Sequence, residues 1–123
     1  MSADSDTPDD LLPLPAATLH ILLALAVGDR HGYAIMQAAT QRTEGRARLN
    51  TGTLYTTIRR LVARGLVVEL EISQLRKAQA EGDARRRYYR LTPAGRRVAR
   101  LELARLQELL SLGRQAGLLG DRG

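Results

Sequence analysis

The sequence predicts a mainly α-helical fold with a single β-hairpin. Its length of 123 residues, 44% of them hydrophobic, suits one folded domain with a terminal extension. Because Phe and Trp are absent, the core must consist of Leu, Val, Ile and Ala, and leucine favours helices over strands. The apolar spacing is helical along most of the chain and changes to a period of two in one region. These observations exclude an all-β sandwich.

Charge and cysteine content narrow the class of protein. The net charge is +6, and the first ten residues hold four Asp and no basic side chain, so the remaining chain is more basic still. A basic domain with an acidic tail favours a polyanionic partner, either nucleic acid or a membrane surface. The apolar run 11–27 is too short to span a bilayer and contains two prolines. Since Cys is absent, we expect a cytoplasmic protein without disulfides, metal or cofactor.

Two helices are predicted in the first third of the folded region. Residues 1–12 have no apolar period and are expected to form a disordered acidic tail. Residues 16–27 are apolar on nearly all sides, which indicates a helix buried on more than one face. Residues 31–42 form the second predicted helix, with Asp29 as a capping residue and His31 capping or packing at its start.

The third predicted helix, residues 51–64, is amphipathic. Asn50 is a capping residue in front of it, and Gly65 closes it. One face carries the apolar side chains Leu54, Ile58, Leu61 and Val62. At about 100° per residue, the opposite face is polar, short-chained and basic. That face comprises Thr53, Thr56, Thr57, Arg60 and Arg64.

A β-hairpin follows this helix. Residues 66–72 alternate as a half-buried strand does, with Leu66, Val68 and Leu70 on one face. Residues 85–91 form the returning strand, in which Tyr89 and Leu91 share a face and Tyr88 lies on the other. The polar residues 73–84 between them make a long tip. Tyr33, Tyr55 and Tyr89 are expected to pack in the core.

The last predicted helix has a wider apolar face than a helix needs to pack on the surface of one domain. Thr92 and Pro93 are typical of a helix start, and the pattern extends to Leu119. Its apolar residues cover an arc of about 200°, whereas about 100° suffices for a surface helix. The surplus face therefore needs another partner. Glu102 and Arg105 lie within the arc, where they pair either along their own helix or across a dimer seam.

Three helices followed by a hairpin, with a polar and basic third helix, are the order of a winged helix-turn-helix. In that fold the third helix enters the major groove of DNA, and the hairpin, or wing, contacts the flanking backbone or minor groove. Arg60 is expected to contact a guanine edge or, alternatively, a phosphate. The predicted DNA-binding residues are Thr51, Thr53, Thr56, Thr57, Arg60, Arg64, Arg76, Lys77, Arg85, Arg86 and Tyr88.

Three stretches also resemble a known family. They are ILLALAVGDRHGYAIMQ at 21–37, LNTGTLYTTIRRLVARGLV at 49–67 and RRRYYRLTPAGRR at 85–97. With their HGY, GTLY and RRxYxLTxxGR elements in this order, they resemble the PadR family of transcriptional regulators, over about residues 14–112. The resemblance implies a homodimeric repressor that binds double-stranded DNA at a pseudo-palindromic operator, with the helix carrying GTLY as the reading helix.

The resemblance also divides the chain. Residues 13–91 correspond to the winged-helix domain and residues 92–119 to a long C-terminal dimerisation helix. A small-molecule effector is compatible with the family, although the chain offers no Trp or Phe to stack against one. The predicted dimer-interface residues are Val98, Leu101, Glu102, Arg105, Leu106, Leu109, Leu110 and Leu112.

Two other classes of function compete with DNA binding. A winged helix can instead dock an acidic protein partner without reading any DNA sequence. An enzyme is disfavoured, because the sequence contains no P-loop, nucleophile elbow, clustered carboxylate pair or metal-ligand spacing.

Overall fold

A computed structural model describes residues 11–42, 50–71 and 87–120. Most of these residues are helical, and a small antiparallel sheet accompanies the helices, which confirms the predicted winged helix with a long C-terminal helix. The elements are α1 Ala16–Val27, β1 Arg30–His31, α2 Gly32–Arg42, α3 Thr51–Ala63, β2 Val67–Glu69, β3 Tyr88–Leu91 and α4 Pro93–Gln115.

The sheet has three strands rather than the two predicted. Their order is β1-β3-β2, so β3 lies in the middle and pairs antiparallel with both neighbours. Arg30 pairs with Tyr89 on one side of β3, and Val67 pairs with Leu91 on the other. The sequence did not indicate β1, because two residues are too few to show an alternating pattern. This short strand fixes the base of the wing to the segment that joins α1 to α2.

The predicted alternation on the outgoing strand is wrong at its start. Leu66 and Val67 are both buried, whereas Val68 is 42% exposed. Leu66 precedes the strand and lies in a turn, where its N–H donates to the carbonyl of Leu61 at 2.9 Å. Leu66 and Leu70 are buried as predicted, but Val67 is buried and Val68 exposed, so the burial along this segment does not alternate strictly. Ile72 lies outside the described residues.

The core is built around α1, which is buried on more than one face as predicted. α1 packs against α2, α3, β3 and α4. Leu11 and Leu12, which the sequence assigns to the tail, are partly buried against this core. The buried core residues include Ile21, Leu22, Ala24 and Leu25 of α1, Ile35 of α2, Leu54, Ile58 and Leu61 of α3, and Val98 and Ala99 of α4.

Side-chain caps fix the start of three helices. His31 Nδ1 accepts a hydrogen bond from the Ala34 N–H at 3.1 Å, which confirms its predicted capping role at α2. Asn50 caps α3 as predicted. Thr92 caps α4: its hydroxyl oxygen accepts from the Gly95 N–H at 3.0 Å and its O–H donates to the Gly65 carbonyl at 2.7 Å. This one hydroxyl joins the turn after α3 to the start of α4.

Two predicted helix features are corrected. Asp29 does not cap α2, because its carboxylate accepts two hydrogen bonds from Arg90 and His31 takes the capping position. α4 ends at Gln115 and not at Leu119. Gly117 has a φ of 78°, a left-handed conformation that terminates a helix and favours glycine.

Candidate nucleic-acid interface

The third helix presents the face that the sequence predicts. Leu54 and Ile58 are at most 1% exposed and face the core, while Thr53, Arg60 and Arg64 on the opposite side are exposed. Thr51 at the first position is exposed as well, and Thr56 and Thr57 are half-buried. We call Thr53, Thr56, Thr57, Arg60 and Arg64 the reading face.

The start of α3 is held rigidly. The Asn50 side-chain oxygen accepts a hydrogen bond from the Thr53 N–H at 2.7 Å, which satisfies one of the unpaired donors of the first turn. Arg60 lies in the last turn, where a positive charge interacts favourably with the negative end of the helix dipole. The reading face therefore begins at a fixed cap and ends in basic side chains.

Arg59 lies beside this face and was missed by the sequence analysis. Its Nη2 donates a hydrogen bond to the Thr56 hydroxyl at 3.3 Å, three residues earlier on the same helix. The helical wheel places Arg59 at the edge of the polar arc. The sequence signal that could have identified it is an arginine three residues after Thr56, a spacing that places the two side chains side by side on a helix.

Beside the reading face lies a cavity of about 610 Å³. Its walls come from the start of α2, from α3, and from the wing strand β3 with the residue before it. The lining side chains include two arginines and three tyrosines. The lining residues are His31, Gly32, Tyr33, Tyr55, Arg59, Arg87 and Tyr89. The three motifs HGY, GTLY and RRxYxL, which are distant in sequence, meet at this cavity.

Steric fit and burial shape the cavity wall. A Cβ atom at Gly32 would collide with the phenol ring of Tyr55, so only glycine allows that ring to lie over the start of α2. Burial raises the pKa of the Tyr89 hydroxyl, and the Glu69 carboxylate raises the pKa further. Tyr89 therefore stays protonated and able to donate a hydrogen bond at neutral pH. Arg87 and Glu69 form a long ion pair of 3.8 Å.

An ion pair positions the wing strand against the body. Arg90 of β3 donates to both carboxylate oxygens of Asp29, from Nε at 3.1 Å and from Nη2 at 2.9 Å. Asp29 is anchored in the turn after α1, and neighbouring Arg30 donates to the Ala24 carbonyl at 2.9 Å. The base of the wing is thus held at a defined place relative to α3.

Comparison with known proteins identifies the family. The sequence model of the transcriptional regulator PadR-like family matches residues 21–101, which include all three motifs. The chain belongs to the PadR-like family. As a member of a family of transcriptional regulators, it is not an enzyme.

Individual relatives agree with this assignment. Transcriptional regulator Rv3488 of Mycobacterium tuberculosis is 36% identical over 108 residues, which cover 86% of this chain and 92% of the relative. An uncharacterized 37.1 kDa protein in transposon TN4556 of Streptomyces fradiae is 41% identical over 86 residues, or 70% of this chain, but the match spans only 21% of that larger protein. The crystal structure of a PadR family transcription regulator from Clostridium difficile R20291 superposes with a TM-score of 0.65 at 24% identity, covering 82% of this chain and 97% of that one. This last likeness supports the fold.

Two predicted dimer-interface residues of this PadR-like regulator lie inside the protomer. Val98 is 1% exposed and Glu102 is 2% exposed, because the first turns of α4 pack against α1. Glu102 accepts from Arg105 Nε at 2.6 Å and Nη2 at 2.9 Å, and from the Leu14 N–H at 3.2 Å. Glu102 therefore pairs with Arg105 along the same helix, and both Val98 and Glu102 are buried inside the protomer.

The remaining predicted interface residues are more accessible. Leu109 is 50% exposed, Leu110 45% and Leu112 53%. Leu101, Leu106 and Arg105 are half-buried. Leu103 and Leu119, which also belong to the apolar arc, are exposed. The second half of α4 thus carries an unpartnered leucine surface.

Two tyrosines of the PadR-like regulator do not lie where the sequence predicts. Tyr88, predicted to reach a phosphate from the outer strand face, is buried, and its ring packs edge-on against His31 with centroids 5.3 Å apart. His31 of β1 is the register partner of Tyr88 and packs beside it in the sheet, a pairing that the sequence did not indicate. Tyr33 is 53% exposed and lines the cavity instead of packing in the core. Tyr89 is buried as predicted.

The wing tip contains the remaining predicted contacts. Arg76, Lys77, Arg85 and Arg86 lie outside the described residues.

Within the described residues there is no group of three or more His, Cys, Asp or Glu side chains that could hold a metal ion. In the same part of the chain, no helix is long and apolar enough to cross a bilayer.

Proposed function

We propose that this PadR-like regulator is a cytoplasmic repressor that binds a pseudo-palindromic DNA operator as a homodimer. The observation that carries the proposal is the division of α3, whose Leu54 and Ile58 face the core while hydroxyl and guanidinium side chains face outward. An exposed polar and basic helix face of this kind suits the major groove of DNA, which is wide enough to admit a helix.

Each side chain of the reading face has a defined task. The planar guanidinium group of Arg60 can donate two hydrogen bonds to O6 and N7 of one guanine, a contact that discriminates between bases by about 1–3 kcal/mol. Arg64 at the end of α3 contacts phosphate. Thr56 and Thr57 offer methyl groups to thymine and hydroxyls to phosphate. Thr51 and Thr53 contact the backbone from the first turn. The wing residues Arg76, Lys77, Arg85 and Arg86 contact the flanking duplex.

The occupant of the leucine surface on α4 is a second copy of the chain. Leu109 and Leu112 continue the face that carries Val98 and Glu102, so the helix leaves the protomer body with its apolar face still unpartnered. Two such helices bury their leucines against each other around a two-fold axis. The same axis places two reading helices about 34–36 Å apart, one turn of DNA. An effector that changes this separation releases the operator.

The experiment compares Arg60→Ala with Arg100→Ala, an exposed arginine on α4 that gives the same loss of charge. The promoter fragment upstream of the regulator's own gene is footprinted, and affinity is then measured for that fragment and for a mixed-sequence duplex at two salt concentrations. We expect affinity to fall steeply with salt and Arg60→Ala to lose about tenfold on the promoter fragment alone. Binding without salt dependence or sequence preference would favour an acidic protein partner and overturn the proposal.

A further inference from the structure

The cavity beside the reading face lies where DNA-bound winged helices meet the sugar-phosphate backbone. Its walls come from α3 on one side and from the wing strand β3 on the other. When α3 occupies the major groove and the wing reaches the adjacent minor groove, the backbone that separates the two grooves must pass between these elements. The cavity lies between the same two elements.

We propose that this cavity binds one backbone phosphate of the operator in each half-site, held by Arg59 and Arg87 and by the surrounding tyrosine hydroxyls. The inference rests on the proposed function and adds a binding site to it. Neither Arg59 nor Arg87 belongs to the reading face, and their contact would be independent of base sequence.

The charges around the cavity suit an anion. Arg59 projects from α3 and Arg87 from the start of the wing strand, so two guanidinium groups converge on one space from different elements. Arg87 forms an ion pair with Glu69 at 3.8 Å, and the two side chains are 73% and 46% exposed. Such a solvated pair is weak. Arg87 can therefore turn toward a phosphate, which forms stronger charge-assisted bonds with guanidinium groups.

The tyrosines add hydrogen-bond donors and shape. Tyr89 is buried and protonated at neutral pH, and Tyr55 is partly buried against the core. The Tyr55 ring occupies the space that a side chain at position 32 would need, so Gly32 is a positioning residue for this wall. At about 610 Å³, the cavity is large enough for a phosphate together with its flanking sugars.

A direct contact connects the cavity with the reading face. Arg59 donates to the Thr56 hydroxyl at 3.3 Å, and Thr56 is a reading-face residue. A phosphate that binds Arg59 holds the guanidinium group in place and thereby orients the Thr56 side chain. The site would set the register of α3 on the duplex before any base is read.

The test measures binding of a short mixed-sequence duplex across a salt series. Arg59→Ala and Arg87→Ala are compared with Arg100→Ala, which removes the same charge from α4. Each substitution removes one phosphate contact per half-site and therefore two per dimer, which lowers the slope of log affinity against log salt by about two and weakens binding to every sequence alike. We expect this result for Arg59→Ala and Arg87→Ala, and the wild-type slope for Arg100→Ala.

A second arm locates the phosphate. Neutral methylphosphonate groups replace single phosphates of the footprinted promoter fragment. With the wild-type protein, one position in each half-site should cost about tenfold in affinity. The same position should cost less with Arg59→Ala, because one of the two arginines that contact it is absent, and least with Arg59→Ala combined with Arg87→Ala. Gly32→Ala, which displaces Tyr55, should weaken the dependence on that position as well.

Two outcomes would overturn the site. One is a wild-type salt slope for Arg59→Ala and Arg87→Ala in a protein that still prefers its operator; this would leave the proposed function intact. The other is a methylphosphonate cost that is identical with and without Arg59. Failure of the wild-type protein to bind any duplex would remove both the site and the proposed function.

Discussion

The two halves of α4 share one apolar pattern but have opposite surroundings. In the first half, Val98 and Ala99 are 1% and 5% exposed, because they pack against the rest of the protomer. In the second half, Leu109 and Leu112 are 50% and 53% exposed. A helical repeat of apolar residues therefore shows that a face must be buried without showing which chain buries it.

Glu102 marks the boundary between the two halves. Its buried carboxylate accepts hydrogen bonds from Arg105 on the same helix and from the Leu14 N–H in the segment before α1. The N-terminal segment therefore crosses α4 at this point and covers it. Beyond this crossing the helix continues with its leucines uncovered.

The largest expected effect comes from the first half. Val98→Asp places a carboxylate in the core beside α1, where no polar partner compensates its burial, and should cost at least about 4 kcal/mol of unfolding free energy. Chemical denaturation followed by circular dichroism measures the loss. A Val98→Asp variant of wild-type stability would mean that the first half of α4 is not part of the protomer core.

A change of the same chemistry in the second half should separate the protomers without unfolding them. Leu109→Asp combined with Leu112→Asp introduces two charges into the proposed dimer surface and should weaken self-association by about a hundredfold or more. Sedimentation at several concentrations measures association, and circular dichroism checks the fold. An unchanged association constant would show that these leucines lie outside any interface.

A smaller effect is expected at the boundary. The bidentate hydrogen bonds from Arg105 lower the pKa of the Glu102 carboxyl below its ordinary value of 4.5, burial opposes this, and the Leu14 N–H lowers the pKa again. Glu102→Gln should cost about 1–3 kcal/mol of unfolding free energy. The charged carboxylate acceptor is lost, while the Arg105 guanidinium and the Leu14 N–H still need an acceptor.

The same carboxylate predicts a pH dependence with a definite sign. Because the pKa of Glu102 is lower in the folded than in the unfolded protein, its stabilisation is complete above the unfolded value and disappears as pH falls through the folded value. Unfolding free energies measured from neutral to acid pH should decrease more steeply for wild type than for Glu102→Gln. Parallel curves would assign the acid sensitivity to other carboxyl groups.

The smallest effect should occur at the far end of the second half. Gly117 has a φ of 78°, and alanine in that conformation costs about 1 kcal/mol. Gly117→Ala should fray the last turn of α4, as measured by faster amide exchange there, and leave the core amides unchanged. Core amides that lose protection would show that the two halves of α4 unfold together.

Local signals were sufficient to predict most of the fold. The proline and glycine boundaries of α1, the Asn50 cap of α3 and the Thr92-Pro93 start of α4 depend on neighbouring residues only, and the structure has each of them. β1 was missed because strand pairing, not its own two residues, defines it. Val67 and Val68 were placed on the wrong faces because the regular strand spans only residues 67–69 and Leu66 before it lies in a turn.

The candidate site was predictable only in part, for a related reason. The reading face follows from the periodicity of one helix, which the sequence contains. The cavity joins residues from three elements, so Arg59 and Arg87 acquire a common role only when α3 and β3 are placed side by side. Tyr88 is buried beside His31 of β1, a strand that the sequence did not indicate, and Tyr33 is exposed at the cavity.

The hydroxyl of Thr92 has a mechanical consequence. Its O–H donates to the Gly65 carbonyl after α3, and its oxygen accepts from the Gly95 N–H at the start of α4. The end of α3 and the start of α4 are therefore linked through one side chain. A tilt of α4 relative to α3 breaks at least one of these bonds. A motion of the long helix relative to the domain would therefore disturb the hydrogen bonds that join it to the end of α3.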